Sequence, residues 1–204
     1  NGDGNGTMAD GQLHVDEVDS SDIICSPISM VIDDTSDIID IIWPFWGVVT
    51  AVVGNTLYFV GDDGVNGYEL WKSDGTETGT MMVKDISSGN PIIVPSRLTS
   101  VGNTLYFISD DGTNGVELWK SDGTEAGTMM VKDINSGIGH SWPFLLGSIG
   151  NTIYFAADDG IHGNELWKSD GTEAGTVMIS DIRAGSEDSL PEYNLDSVII
   201  GNTI

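Results

Sequence analysis

Residues 102–134 read GNTLYFISDDGTNGVELWKSDGTEAGTMMVKDI, and near-copies of this stretch begin at Gly54 and Gly150. The period is therefore 48 residues (150 − 102), and a fourth start, GNTI, occurs at Gly201. A fixed period of this size is typical of a propeller, a solenoid or an array, in which each unit buries its faces against its neighbours.

Turn signals divide the second copy into four short segments, at 98–101, 104–109, 116–121 and 128–134. The separating Gly-Asn, Asn-Gly and Asp-Gly pairs supply the positive φ angles that tight hairpins need. No segment shows a 3.6-residue apolar period long enough for a helix. The pattern predicts an all-β fold in which every copy forms a four-stranded antiparallel sheet.

Large apolar side chains occupy consecutive positions within each copy, as in Leu-Tyr-Phe and Glu-Leu-Trp. Because successive side chains of a strand point to opposite faces, we expect both faces of each sheet to be covered. Blade-like sheets packed between neighbouring sheets meet this demand, so the sequence predicts a β-propeller-like array. The predicted structural core is the Leu-Trp pair of each copy: Leu70, Trp71, Leu118, Trp119, Leu166 and Trp167.

The predicted repeats occupy residues 43–92, 93–140 and 141–189, between a divergent segment at 1–42 and the start of a fourth repeat at 190–204. Residues 12–34 contain strand-like apolar positions, and 190–204 would supply the first strand of a repeat. Joined within one chain, the two ends would close a ring of four blades and leave no open sheet edge. Joined between chains, they would build a filament by self-association through the terminal strands.

The string ELWKSDGT, at 69–76, 117–124 and 165–172, resembles the ELWxxDGT repeat family. The resemblance covers about residues 43–182 and leaves 1–42 outside it. That family occurs in secreted or surface proteins of bacteria. The resemblance therefore implies an extracellular or cell-surface scaffold without a defined activity.

The chain is strongly acidic, with 32 acidic against 7 basic residues and a formal net charge of −25. Such a charge repels nucleic acid and anionic membranes. The most apolar stretch, 38–53, contains Asp40 and Pro44 and is shorter than the roughly 20 residues that a membrane-spanning helix needs. We therefore expect neither a nucleic-acid partner nor a membrane span.

Two adjacent carboxylates precede a glycine in every copy: Asp62 and Asp63, Asp110 and Asp111, and Asp158 and Asp159. Ca²⁺ prefers oxygen ligands, so these pairs are candidate calcium ligands, with a solvated turn as the alternative. Asn66 and Asn114 are replaced by His162 in the third copy, and imidazole is a poor calcium ligand. Since Asn and His both tolerate positive φ, we interpret this position as selected for turn geometry.

Five aromatic residues beside prolines lie outside the strict motif and are the candidate ligand-binding surface: Trp43, Phe45, Trp46, Trp142 and Phe144. A glycan or a surface protein is the partner that such residues would take. The prolines next to them suit a connection between blades equally well.

A lysine follows the motif Trp in every copy: Lys72, Lys120 and Lys168. The sequence predicts a local pair with the preceding Glu or with a nearby Asp. This interpretation confines each lysine to its own repeat.

Catalytic signals are weak, because His14, His140 and His162 do not recur at one repeat position and no nucleophile elbow, Cys-His signature or HExxH motif occurs. Identical carboxylates in every copy argue for architecture, since an active site normally needs one asymmetric constellation. The sequence predicts a non-catalytic extracellular structural or adhesive module. A ligand-binding propeller such as a lectin is the alternative, and a glycan-active enzyme is the third class.

Overall fold

The computed structural model describes residues 49–87 and 94–190, which form three antiparallel four-stranded sheets and no helix. The first sheet contains β1 (Thr50–Val53), β2 (Thr56–Asp62), β3 (Tyr68–Ser73) and β4 (Met81–Lys84). The second contains β5 (Ser96–Val101), β6 (Thr104–Asp110), β7 (Val116–Ser121) and β8 (Met129–Lys132). The third contains β9 (Phe144–Ile149), β10 (Thr152–Asp158), β11 (Asn164–Ser169) and β12 (Val177–Ser180). The predicted all-β fold with one such sheet per repeat is confirmed.

Each sheet is a meander, because its strands pair in sequence order with antiparallel neighbours. The predicted hairpin glycines have positive φ, with values of 59° at Gly102, 70° at Gly115 and 86° at Gly123. Glycine adopts such angles without steric cost, which explains why the turns recur at these positions. In the described ranges no helix could span a membrane.

Three strands of the second copy differ from the prediction by one or two residues, and one of them, β6, extends one residue further, to Asp110. The fourth strand was expected at 128–134, but β8 covers only Met129–Lys132. The Thr128 hydroxyl instead donates to the Thr124 carbonyl at 2.7 Å, and the Ile134 amide donates to the Glu117 carboxylate at 3.2 Å. The first strand begins at Ser96, two residues early, with a register shift next to Arg97, whose φ is 56°. Hydrogen bonds to a loop carbonyl and to a side chain therefore explain where β8 begins and ends.

We call the face of each sheet that carries the motif Leu its front face and the face that carries the motif Trp its back face; the front faces of the first and second sheets pack against the back face of the following sheet. In the second sheet, Tyr106, Leu118 and Val131 belong to the front-face core against the third sheet. Phe107 and Trp119 belong to the back-face core against the first sheet. A register shift separates motif Leu from motif Trp in all three sheets, which marks a bulge at this point.

The two inter-sheet cores supply the main apolar burial of the described residues. Leu70 and Leu118 are fully buried on front faces, and Phe107 and Phe155 are fully buried on back faces. Complete burial of such a side chain contributes roughly 1.5–3 kcal/mol relative to exposure. Trp119 and Trp167 are almost fully buried, whereas Trp71 and Leu166 are only half-buried.

Candidate functional site

The paired carboxylates predicted as calcium ligands lie at the turn between the second and third strand of each sheet. In the first copy, Asp62 Oδ1 accepts the Gly64 amide at 2.7 Å, and Asp63 Oδ1 accepts the Val65 and Asn66 amides at 2.9 and 2.8 Å. The second and third copies repeat the pattern with Asp110, Asp111, Asp158 and Asp159. Both members of each pair therefore fasten the backbone of their own turn.

The position occupied by Asn66, Asn114 and His162 serves the same turn through its side chain. Asn66 Nδ2 donates to Asp63 Oδ2 at 2.7 Å, and the equivalent bonds of Asn114 and of His162 Nδ1 are also 2.7 Å long. Among the described non-glycine residues, only Arg97 and Trp142 have positive φ. The expectation that positive φ selects this position is therefore wrong. Asn and His each place a side-chain nitrogen 2.7 Å from Oδ2 of the second Asp of the pair.

Hydrogen bonding lowers the pKa of the second carboxylate of these turns. The amides of Asn66 and Val65 lower the pKa of Asp63. Burial raises the pKa of Asp159, but hydrogen bonds from His162 and Ile161 outweigh it and the pKa is lowered overall. The Asp159 carboxylate in turn raises the pKa of His162. Ionised turn carboxylates remain compatible with a cation, so calcium at these turns stays a prediction.

Metal ligands need to converge, and the described part of the chain contains no group of three or more His, Cys, Asp or Glu side chains that could hold a metal ion. Backbone carbonyl oxygens can supplement such a site for calcium. The geometry on its own accounts for the carboxylates as turn-stabilising acceptors.

The predicted aromatic surface is only partly described, because Trp43, Phe45 and Trp46 lie outside the described residues. Trp142 is 61% exposed, has a φ of 46°, and its ring centroid lies 5.3 Å from that of His140. Phe144 opens β9 and is half-buried beneath the Arg97 guanidinium, which lies 4.3 Å from its ring centroid. The structure therefore leaves Trp142 available to a ligand and engages Phe144 in a contact with the second sheet.

The Asp-Gly-Thr string closes the loop between the third and fourth strand. In the second copy, Asp122 Oδ1 accepts the Thr124 amide at 2.9 Å and its hydroxyl at 2.7 Å. The Gly127 amide donates to the Thr124 hydroxyl at 2.9 Å, and a Cβ at Gly127 would clash with the Asp122 carboxylate. These bonds lower the pKa of Asp122 despite slight burial. The string thus builds a rigid loop that leaves its glycine carbonyl free to accept a bond.

That free carbonyl is the acceptor for a lysine of the preceding sheet. Lys72 Nζ donates to the Gly123 carbonyl at 2.7 Å, and Lys120 Nζ donates to the Gly171 carbonyl at 2.7 Å. The expected local pair with Glu or Asp is therefore wrong for these two lysines, because each reaches the loop of the next repeat. Lys168 is exposed and makes no hydrogen bond or ion pair within the described ranges.

A second lysine strengthens the same contact. Lys84 Nζ donates to the Thr128 carbonyl at 2.9 Å and lies 6.0 Å from the Trp119 ring centroid. Lys132 repeats both contacts, with the Thr176 carbonyl at 3.0 Å and the Trp167 ring at 5.8 Å. A cation this close to an indole face is attracted by the ring quadrupole. The first sheet is therefore joined to the second by two lysines, and the second sheet is joined to the third by two more.

A tyrosine completes the junction. A Cβ at Gly123 would clash with the Tyr58 hydroxyl, and a Cβ at Gly171 would clash with the Tyr106 hydroxyl. Burial raises the pKa of Tyr58 and Tyr106, and the next sheet's Asp122 and Asp170 raise it further. Glycine is therefore required at this motif position for two reasons: its φ is positive, and the tyrosine of the preceding sheet approaches it closely.

The motif glutamate is a buried ionisable side chain that the sequence did not single out as a candidate site residue. Glu69, Glu117 and Glu165 are all fully buried, which is rare for a carboxylate. Glu117 accepts bonds from the Ile134 and Asn135 amides at 3.2 and 3.1 Å and from the Ser141 hydroxyl at 2.5 Å. Its burial raises the pKa of Glu117 to about 7. The recurrence of Glu before Leu-Trp in all three copies was the available signal.

The pKa of the third glutamate, Glu165, is shifted in the opposite direction in the same fold position. Burial raises the pKa of Glu165, but hydrogen bonds from Ser189, Ile182 and Arg183 outweigh it and the pKa is lowered overall. The Ser189 hydroxyl donates at 2.6 Å. The glutamate of each copy thus holds the segment after the fourth strand against its own sheet.

A polar cavity of about 350 Å³ lies between the second and third sheets. Neither Trp142 nor Phe144 lines it. Its lining consists of Val101, Gly102, Asn103, Thr104, Tyr106, Asn151 and Asp170. The cavity and the predicted aromatic surface are therefore separate features.

No protein-family model matches the chain, and no curated protein sequence matches it. Among solved structures, the chain is similar to the computationally designed Ika8 protein, at 16% sequence identity and a TM-score of 0.33. The match covers 62% of this chain and 34% of that protein. The chain thus spans about a third of the length of the designed protein it matches.

Proposed function

We propose that the chain is a non-catalytic structural or adhesive repeat module of an extracellular or cell-surface protein, with its sheets arranged as propeller-like blades. The observation that carries the proposal is the use of the recurring polar side chains. Carboxylates of the two loops hold turns, the motif glutamate holds a backbone segment, and Lys72 and Lys120 join successive sheets.

The extracellular location rests on the resemblance to the ELWxxDGT repeat family and on the acidic composition. Blade-like packing is supported by the two cores that lie between consecutive sheets. The four-bladed ring involves residues 12–34 and 190–204, which except for Leu190 lie outside the described ranges, and it stays a prediction.

Glu117 is the strongest argument for an enzyme, because a buried carboxyl with a raised pKa is a common general acid. Its hydrogen-bond pattern, however, recurs at Glu69, which accepts the Ile86 and Ser87 amides at 3.0 and 3.1 Å. An acid that is repeated with the same backbone partners serves the fold. A ligand-binding role is favoured by one separate observation, the exposure of Trp142 beside His140.

A glycan panel tests both alternatives on the purified chain, with and without Ca²⁺. We expect the chain to hydrolyse no glycan. We also expect the Trp142→Ala substitution to abolish no glycan binding. Hydrolysis that is lost in a folded Glu117→Gln variant would overturn the proposal in favour of an enzyme. Binding that is lost in Trp142→Ala and kept in Phe144→Leu would overturn it in favour of a lectin.

A further inference from the structure

The contact between successive sheets has two complementary halves. The donor half lies on a front face and comprises the motif lysine, the tyrosine and the second lysine; in the second sheet these are Lys120, Tyr106 and Lys132. The acceptor half lies on the next sheet and comprises the carbonyls of the loop glycine and of the threonine five residues later, Gly171 and Thr176 in the third sheet. The first sheet presents the same donor half to Gly123 and Thr128.

The third sheet presents a donor half with nothing docked on it among the described residues. Ile179 is 44% exposed, whereas its equivalent Val131 is 5% exposed. Ile182 is 58% exposed, against 6% for Ile134. Together with the exposed Lys168, these residues form an apolar front face with one cation beside it.

The first sheet carries the matching acceptor half, and it too is open. Thr80 is exposed, although Thr128 and Thr176 are fully buried beneath the lysines that bind their carbonyls. Trp71 is only half-buried on the same back face, although Trp119 is almost fully buried. Among the residues that the structure describes, one half of the contact is therefore free at each end of the three sheets.

The sequence restricts what can fill the free donor half. The string Ser-Asp-Gly-Thr occurs only at 73–76, 121–124 and 169–172, and the last two are already bound by a preceding sheet. When Met30 is aligned with Met130, Ile23 takes the position of Gly123, where any Cβ would clash with the tyrosine hydroxyl. The first sheet of another copy therefore matches this face better than the chain's own N-terminal segment.

We propose that the front face of the third sheet binds the back face of the first sheet in a second copy of the chain, head to tail. Lys168 then donates to the partner's Gly75 carbonyl, as Lys72 and Lys120 do within the chain. A head-to-tail contact propagates into an open string of copies unless its rotation closes the copies into a ring. Since Ser180 replaces the second lysine, this junction is weaker than the internal ones.

The net charge of −25 makes copies repel each other, so the junction forms more readily when salt screens that repulsion. The inference deepens the proposed structural role and rests on it. Its readout is self-association, whereas the structural role is judged by hydrolysis and glycan binding. If the chain neither associates nor acts on glycans, this inference fails and the structural role stands.

Sedimentation of the 204-residue chain over a concentration series tests the junction with one variant that should weaken it and one that should strengthen it. Lys168→Met should weaken self-association by about tenfold, the equivalent of one hydrogen bond from a charged group. Ser180→Lys should strengthen it by about tenfold, because the new lysine can reach the partner's Thr80 carbonyl and Trp71 ring. Arg183→Met is the matched control, since Arg183 is an exposed cation of the same repeat that pairs with Glu187, and it should leave association unchanged.

Zero-length cross-linking of lysines to carboxylates locates the contact. In a mixture of isotope-labelled and unlabelled copies, we expect a mixed-label peptide that joins Lys168 to Asp74. A monomer at every concentration, equal effects of Lys168→Met and Arg183→Met, or Lys168 cross-links confined to residues 12–34 of the same copy would each overturn the proposal.

Discussion

The second and third repeats carry nearly the same motif and yet differ in how deeply it is buried. Leu118 is fully buried because the third sheet covers it, whereas Leu166 is half-buried on the corresponding face. Lys120 is bonded to the next sheet, whereas Lys168 is exposed. The comparison shows that the motif encodes a contact between sheets. Its leucine is fully buried, and its lysine is hydrogen-bonded, only where another sheet follows.

The largest expected difference concerns the motif leucines. Leu118→Ala should lower the free energy of unfolding by about 2–5 kcal/mol, because it leaves a cavity between two sheets. Leu166→Ala should cost about half as much, because its side chain is already partly in solvent. Urea unfolding of the two variants checks this, and equal losses would mean that the two front faces are equivalent.

The pH dependence of stability should separate the glutamates of these repeats. The folded-state pKa of Glu117 is raised from 4.5 to about 7, so its stabilising contribution is complete below the ordinary pKa and is lost as the pH rises through 7. The loss amounts to about 1.4 kcal/mol per pH unit within that window. Urea unfolding should show that Glu117→Gln removes this slope.

Glu165→Gln is the matched control, because Glu165 should change the stability with pH in the opposite direction. The pKa of Glu165 is lowered, so its contribution is present above the ordinary pKa and is lost as the pH falls. Parallel stability profiles for the wild type and Glu117→Gln would contradict the raised pKa of Glu117.

The smallest difference concerns the lysines. At concentrations where the chain is monomeric, Lys120→Met should lower the free energy of unfolding by about 1–1.5 kcal/mol, because it removes a bond to the Gly171 carbonyl. Lys168→Met should change it by less than about 0.5 kcal/mol, as for other surface substitutions. Thermal unfolding checks both variants, and a large effect of Lys168→Met would reveal a partner within the same chain.

The fold was predictable from sequence to the level of one sheet. Glycine-containing pairs set the turns, and apolar segments between them set the strands, because both depend on neighbouring residues only. The third strand of the second copy was predicted at 116–121 and found at Val116–Ser121. The fourth was overestimated because Glu117 draws the Ile134 amide away from the ladder.

The roles of the polar side chains were not predictable in the same way. Lys72 binds a carbonyl 51 residues further along the chain, so its partner depends on how two sheets stack. The Asn or His of the turn was assigned to backbone conformation, although its side-chain nitrogen is the shared feature. Neighbouring residues do not specify the lysine contact, whereas recurrence in every copy could have marked both positions as structural.

The central claim is that successive sheets stabilise each other through one repeated contact, and the number of repeats tests it most directly. Inserting a second copy of residues 102–149 after Ile149 adds one sheet and one junction, and deleting 102–149 removes one of each. Urea unfolding should show that the insertion raises the free energy of unfolding by about the amount that the deletion lowers it, as nearest-neighbour coupling requires. An insertion that leaves the free energy unchanged, or lowers it as disruption of a fixed ring would, contradicts the claim.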